Sequence, residues 1–234
     1  NGWLRGVYLL LFLIEDVIFF YTVSRGRLAG LLLGSGLFLF IVGLLGTARI
    51  RRLAFVVLIS ALLVSAALYV FRDAPIIRSN ISDRFVTVVD DAAEGRVILW
   101  KMAFQGWKER PVLGWGQENF LYVFSKYYDP ALWKNEPWFD RAHNVFLDWL
   151  ISAGILGLGA YLVMLGVAIR LLFGAWKSGR VDRYIFAGLL SLLAAYLSQS
   201  LFVFDNLTSH LFFFAVLAWI QNISIRENIP MFSR

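Results

Sequence analysis

DRAHNVFLDWLISAGILG, residues 140–157, sets one of only two histidines in the chain directly before a long apolar run. The run continues to about Phe173. Roughly 18 or more apolar residues are enough to cross a hydrocarbon core about 30 Å thick. The stretch therefore reads as the mouth of a membrane helix, with His143 at the rim between Arg141 and Asn144. It leaves one question open: a solvated loop residue, or a base at a membrane surface.

The whole chain agrees with that reading. Its 234 residues are 59% hydrophobic and its mean hydropathy is +0.69, which an ordinary soluble domain does not show. Apolar segments fall at about Gly6–Ser24, Leu28–Thr47, Leu53–Phe71, Val145–Phe173, Tyr184–Phe204 and Leu207–Ile225. A bilayer core requires backbone groups to be satisfied inside helices or closed barrels. The expected fold is thus an all-α, polytopic transmembrane bundle of about six spans. Its parts are three spans over 1–71, a large extracytoplasmic loop over 72–144 containing an amphipathic helix, and three spans over 145–234. The chain begins with Asn, so it is expected to be a piece of a longer protein. With no cysteine, neither disulfides nor thiolate metal sites are available.

Charge sets the orientation. Six alternating spans put Arg5, Arg49, Arg51, Arg52, Lys177, Arg180, Arg183, Arg226 and Arg234 on one face, against Asp182 and Glu227. By the positive-inside rule that face is cytoplasmic. The 72–143 stretch carries ten basic and ten acidic residues, so the net charge of +6 lies wholly outside it. The excess is a topology signal, and no nucleic-acid partner is expected. One turn breaks the rule: YTVSRGRLAG puts Arg25 and Arg27 on the outer face. They either snorkel to anionic headgroups or serve a function.

Within the loop, DDAAEGRVILWKMAFQGWKERP reads as a helix capped by Asp90 or Asp91 and ended by Pro111. Val97, Trp100, Phe104 and Trp107 give it one apolar face. Arg96 then falls in its first turn, where the macrodipole disfavours a cation, yet its planar fork suits phosphate oxygens. The alternative for Arg96 is an ion pair with Asp90, Asp91 or Glu94. PVLGWGQENF reads as a tight turn with Gly114 and Gly116 around Trp115. His143 suits proton transfer near neutrality; its alternative is a hydrogen bond to loop backbone. Asn144 reads first as a helix cap. Glu15 and Asp16 lie inside an apolar segment, and His210 beside Asp205 reads as a structural pair.

Three motifs together carry a resemblance: TVSRGRLAGL, then GRVILWKMAFQGWKERPVLGWGQENF, then RAHNVFLDWLISAGILGLGAYL. In order and spacing the chain resembles the C-terminal part of the O-antigen ligase and Wzy-type O-antigen polymerase superfamily, over roughly residues 15 to 220. Members usually have more spans than this chain. The resemblance implies a glycosyltransferase of the bacterial inner membrane with its active site on the periplasmic face. Its donor would be a glycan on undecaprenyl diphosphate, and its acceptor a lipid A core sugar, a glycan or a protein. No metal or cofactor is implied, and membrane lipids are the other partner. The resemblance puts catalytic roles on His143, Arg25 and Arg96, with Arg27 and Arg141 as looser matches. Asn144 and Trp115 are further candidates for substrate contact. The competing function is a transporter or flippase of polyprenyl-linked or anionic glycans, with Glu15, Asp16 and the outer arginines forming its path.

Overall fold

The computed structural model describes residues 2–22, 25–71, 87–134 and 138–225. Every regular element among them is helical: α1 (Gly2–Thr22), α2 (Arg25–Leu45), α3 (Ala48–Val70), α4 (Thr87–Glu109), α5 (Phe120–Lys126), a 3₁₀ turn (Pro130–Lys134), α6 (Val145–Lys177), α7 (Arg183–Ser200) and α8 (Leu207–Ile225). Four helical stretches are long and apolar enough to cross a membrane: Leu28–Leu45, Ala48–Ala67, Val145–Lys177 and Leu207–Ile225. The other two expected segments are helical as well; α7 falls short of that mark, and the end of the first expected span lies outside the described residues. Among the described residues, the apolar stretch of α1 is Gly6–Glu15, and α7 carries three serines and Gln199.

Antiparallel packing of α2 on α7 rests on two small residues one turn apart. A Cβ on Gly30 would stand 2.8 Å from the Ala195 carbonyl oxygen, and one on Gly34 would stand 2.7 Å from the Ala195 Cβ. Glycines at this spacing let backbones approach where lipid supplies no hydrophobic drive. At the end opposite to His143, Arg183 donates to the Leu45 carbonyl and Arg180 to the Ser224 carbonyl at 2.6 Å. Two arginines thus satisfy carbonyls at helix C-termini.

The most consequential departure from a simple bundle is in α6. Gly154 sits at φ 64°, ψ −162°, which breaks the helix between Val145–Ala153 and the rest. The groups released by the break are not left bare. Trp115 and Gly116 N–H donate to the Ile151 and Ser152 carbonyls at 2.7 and 2.9 Å. In return, Ile155 N–H donates to the Pro111 carbonyl at 2.8 Å. The Pro111–Gly116 loop is therefore spliced into the helix, as an apolar environment demands of any interrupted backbone. A Cβ on Gly154 would lie 2.2 Å from the Val112 oxygen, and one on Gly114 2.4 Å from the Ile151 oxygen, so both positions need glycine.

The break also fixes where the N-terminus of α6 goes. Unbroken, its 33 residues would run about 50 Å, against about 27 Å for the 18 of α7. The two helices are joined by a short turn, yet Asn144 Nδ2 donates to the Leu201 carbonyl at 3.2 Å at the other end. The segment of α6 before the break must therefore fold back toward the end of α7, and it carries His143 with it.

Expectations for α4 change in three respects. The helix starts at Thr87, so Asp90 and Asp91 lie inside it by backbone and do not cap it. Their side chains, like that of Glu94, lie outside the described residues. Arg96 stands in the third turn, so the macrodipole argument does not apply to it. The face buried against α5 and α6 is Leu99, Met102 and Ala103, while Val97 and Phe104 remain exposed. The helix thus has two apolar sides, only one of which is covered by described residues.

Candidate active site

The site is built around a fixed peptide. Ala142 is fully buried; its N–H donates to Asp148 Oδ1 at 2.8 Å, and its carbonyl accepts from Trp100 Nε1 at 3.1 Å. One bond comes from the first turn of α6 and the other from α4. Asn144 closes the far side as the N-cap of α6. Its Oδ1 accepts from Phe146 and Leu147 N–H at 3.0 and 3.2 Å, which satisfies two donors at the helix start.

Between these anchors His143 adopts φ 53°, the left-handed region that few side chains enter. Its ring lies edge-on to Phe139 and Phe204, with centroids 5.3 and 5.1 Å away. Nδ1 stands 3.2 Å from the Arg141 carbonyl oxygen. A carbonyl only accepts, so in the neutral form of the ring this contact puts the proton on Nδ1 and the lone pair on Nε2. Of the two readings left open by the sequence, the hydrogen bond to loop backbone is present, made by Nδ1.

The α7–α8 turn, residues 201–206, ties the site together. Its Leu201 carbonyl holds Asn144, and Phe202 lies beneath the Arg96 guanidinium at 6.0 Å. Trp100 sits 6.4 Å from the same Phe202 ring, and Phe204 faces His143. Arg96 and His143 therefore meet at one turn although they come from different elements. Arg25 opens α2, and its side chain and that of Arg27 lie outside the described residues. The α2–α7 contacts run antiparallel, from Leu45–Arg183 through Gly34–Ser191 to Gly30–Ala195. That register runs the start of α2 toward the end of α7.

Arg141 pairs with Glu118, itself at φ 62°. Trp115 donates its indole N–H to the Gly106 carbonyl at 2.8 Å, and Arg110 covers its ring at 4.3 Å. That geometry locks the spliced loop to α4. Two carboxylates that the sequence reading did not bring to the site also stand here. Asp205 accepts from Tyr196 Oη at 2.6 Å and Ser209 Oγ at 2.9 Å, with His210 Nε2 3.6 Å away. It borders a cavity of about 590 Å³ that also takes in Glu15, Gln199 and Phe204. A smaller cavity of about 150 Å³ joins Asp205 to Arg141, Asp148 and His210. Among the described residues, no group of three His, Asp or Glu stands close enough together to hold a metal ion.

A family model described as O-Antigen ligase matches residues 7–162. The chain belongs to the O-antigen ligase family. No curated protein matches it. The O-antigen ligase match runs from α1 through α4 and the spliced loop to beyond the break in α6, so it contains Arg25, Arg96 and His143. The α7–α8 turn and Asp205 lie beyond it. Membership and four apolar helices of spanning length make this a multi-pass membrane protein of O-antigen ligase or polymerase type.

Proposed function

We propose that the chain transfers a glycan from undecaprenyl diphosphate to an acceptor hydroxyl, with His143 as the base and Arg25 and Arg96 on the diphosphate. In this reading the six apolar segments all cross the bacterial inner membrane, and the 72–144 region lies on the periplasmic side. The observation that carries it is the His143 geometry: Nδ1 is engaged by the Arg141 carbonyl, and Nε2 is left to accept a proton. As the acceptor oxygen attacks the anomeric carbon, its proton passes to Nε2 and the carbon–diphosphate bond breaks. Negative charge grows on the leaving diphosphate, where fixed arginines stabilise the transition state more than the bound substrate. Two guanidinium forks supply charge neutralisation without a metal being required. Arg27 and Arg141 flank the diphosphate, and Asn144 holds the base in register. Trp115 contacts the glycan from the loop.

The left-handed backbone at position 143 makes a clean test available. Glycine and asparagine tolerate that conformation, so His143→Gly and His143→Asn remove the base without straining the turn. Both variants are expected to melt within a few degrees of wild type and to lose transfer of a lipid-diphosphate-linked glycan by about 100-fold or more. Transfer at the wild-type rate in either folded variant ends the mechanism as stated. Arg25→Lys is expected to transfer poorly as well, because it keeps the charge and loses the bidentate fork.

A further inference from the structure

The exposed side of α4 faces a groove that backs onto the site, sharing Trp100, Asn144 and Leu201 with it but reaching none of the groups given a role on the diphosphate. It holds about 720 Å³ and is walled by Val97 and Phe104 of α4, Phe146 and Leu147 of α6, and Leu201. The wall from α6 belongs to a helix of membrane-spanning length and composition. Lys101 and Lys108 rim the groove; they stand seven residues apart, two turns along the same face of α4. Both are exposed, no acidic side chain lines the groove, and neither lysine has a carboxylate partner among the described residues. Lys108 Nζ lies 5.0 Å from the Phe104 ring centre, its stem drawn along the apolar floor.

An apolar trough edged by two ammonium groups that have no carboxylate partner among the described residues is complementary to a lipid with a negative headgroup. We propose that this groove is a seat for an anionic phospholipid of the surrounding bilayer, its phosphate between Lys101 and Lys108 and its acyl chains on Phe104, Phe146, Leu147 and Leu201. The point charges of lysine suit a single phosphate diester, which needs no planar fork. Such a lipid would press the uncovered side of α4 onto the membrane interface, in the manner of an amphipathic surface helix. It would also hold steady the helix that carries Arg96 and Trp100. None of this depends on glycosyl transfer.

The test uses the full chain in nanodiscs of equal parts phosphatidylglycerol and phosphatidylcholine, with retained lipids counted by native mass spectrometry. Wild type is expected to retain phosphatidylglycerol over phosphatidylcholine, and rising sodium chloride to remove that preference. Losing one lysine should weaken retention roughly fivefold, and the Lys101→Gln/Lys108→Gln pair roughly thirty-fold. The Lys101→Arg/Lys108→Arg pair should keep the preference. Equal retention of both lipids by wild type overturns the proposal, as does an unchanged preference in the glutamine pair. So does a second copy of the chain bound in place of lipid. Should the glutamine pair fail to fold, the salt titration of the unaltered protein decides: a preference that salt does not touch overturns the proposal.

Discussion

His143 holds its conformation because the residue before it is pinned from two sides and the residue after it is a buried cap. Asp148 is the sharper of the two pins, since the Ala142 N–H it accepts is fully buried. Asp148→Ala is expected to cost about 1–3 kcal/mol, the desolvation of an unmet N–H. It should lower both the melting temperature and the transfer rate. Asp148→Asn keeps an acceptor oxygen and should restore most of the stability, which a thermal melt of the three proteins would check. An equal loss in both variants would mean that the Ala142 bond is not what matters. The sequence displays His143 and Asn144 because a histidine and a cap before an apolar run stand out. Asp148 and Asp205 do not stand out. Asp148 works backward onto Ala142, and Asp205 reads as a partner of His210 until Tyr196 and Ser209 are seen around it.

At the scale of elements, the break in α6 decides more than any cap. Gly154→Ala meets both a backbone region essentially closed to side chains and the Val112 carbonyl. A loss of about 3 kcal/mol or more is expected, seen as a large fall in melting temperature or in folded yield. The same change at Gly159, where an added Cβ meets nothing within 4 Å, should be tolerated. The contact of α5 with α4 carries a pH dependence. Hydrogen bonds from Lys126, then Tyr127, hold the Glu109 carboxyl below its ordinary range. A depressed carboxyl stabilises the fold above its unfolded value, and that contribution is lost as pH falls through the carboxylate range. The protection of α5 amides, relative to their intrinsic exchange rate at each pH, should therefore fall on acidification in wild type, and Glu109→Gln should flatten that response. The break itself was not legible, because ISAGILGLG continues the apolar pattern and glycine is common in membrane helices. Its signature is shared with PVLGWG, some forty residues upstream. Only the hydrogen bonds across the gap reveal that the two segments are one device.

For the molecule as a whole, the α2–α7 contact joins the first apolar helices to the last. Gly34→Leu would drive a side chain into Ala195 and is expected to separate them, seen as protease sensitivity in membranes with α6 and α8 still paired. Orientation is testable because the chain has no cysteine. A single cysteine at Asp129 should react with an impermeant maleimide from outside, and one at Arg51 only after permeabilisation; the reverse pattern would invert the proposed topology. Overall helicity was legible from hydropathy, since it is a property of single segments. The convergence of α2, α4 and α6 on the α7–α8 turn was not, because it depends on register between segments far apart in the chain. The splice between Pro111–Gly116 and α6 also bears on biogenesis. The loop leaves the ribosome before α6 does, so it must wait for a helix that cannot close its own backbone. Insertion of α6 and docking of the loop would then be one step, and a delay between them would leave a half-built span exposed to quality-control proteases.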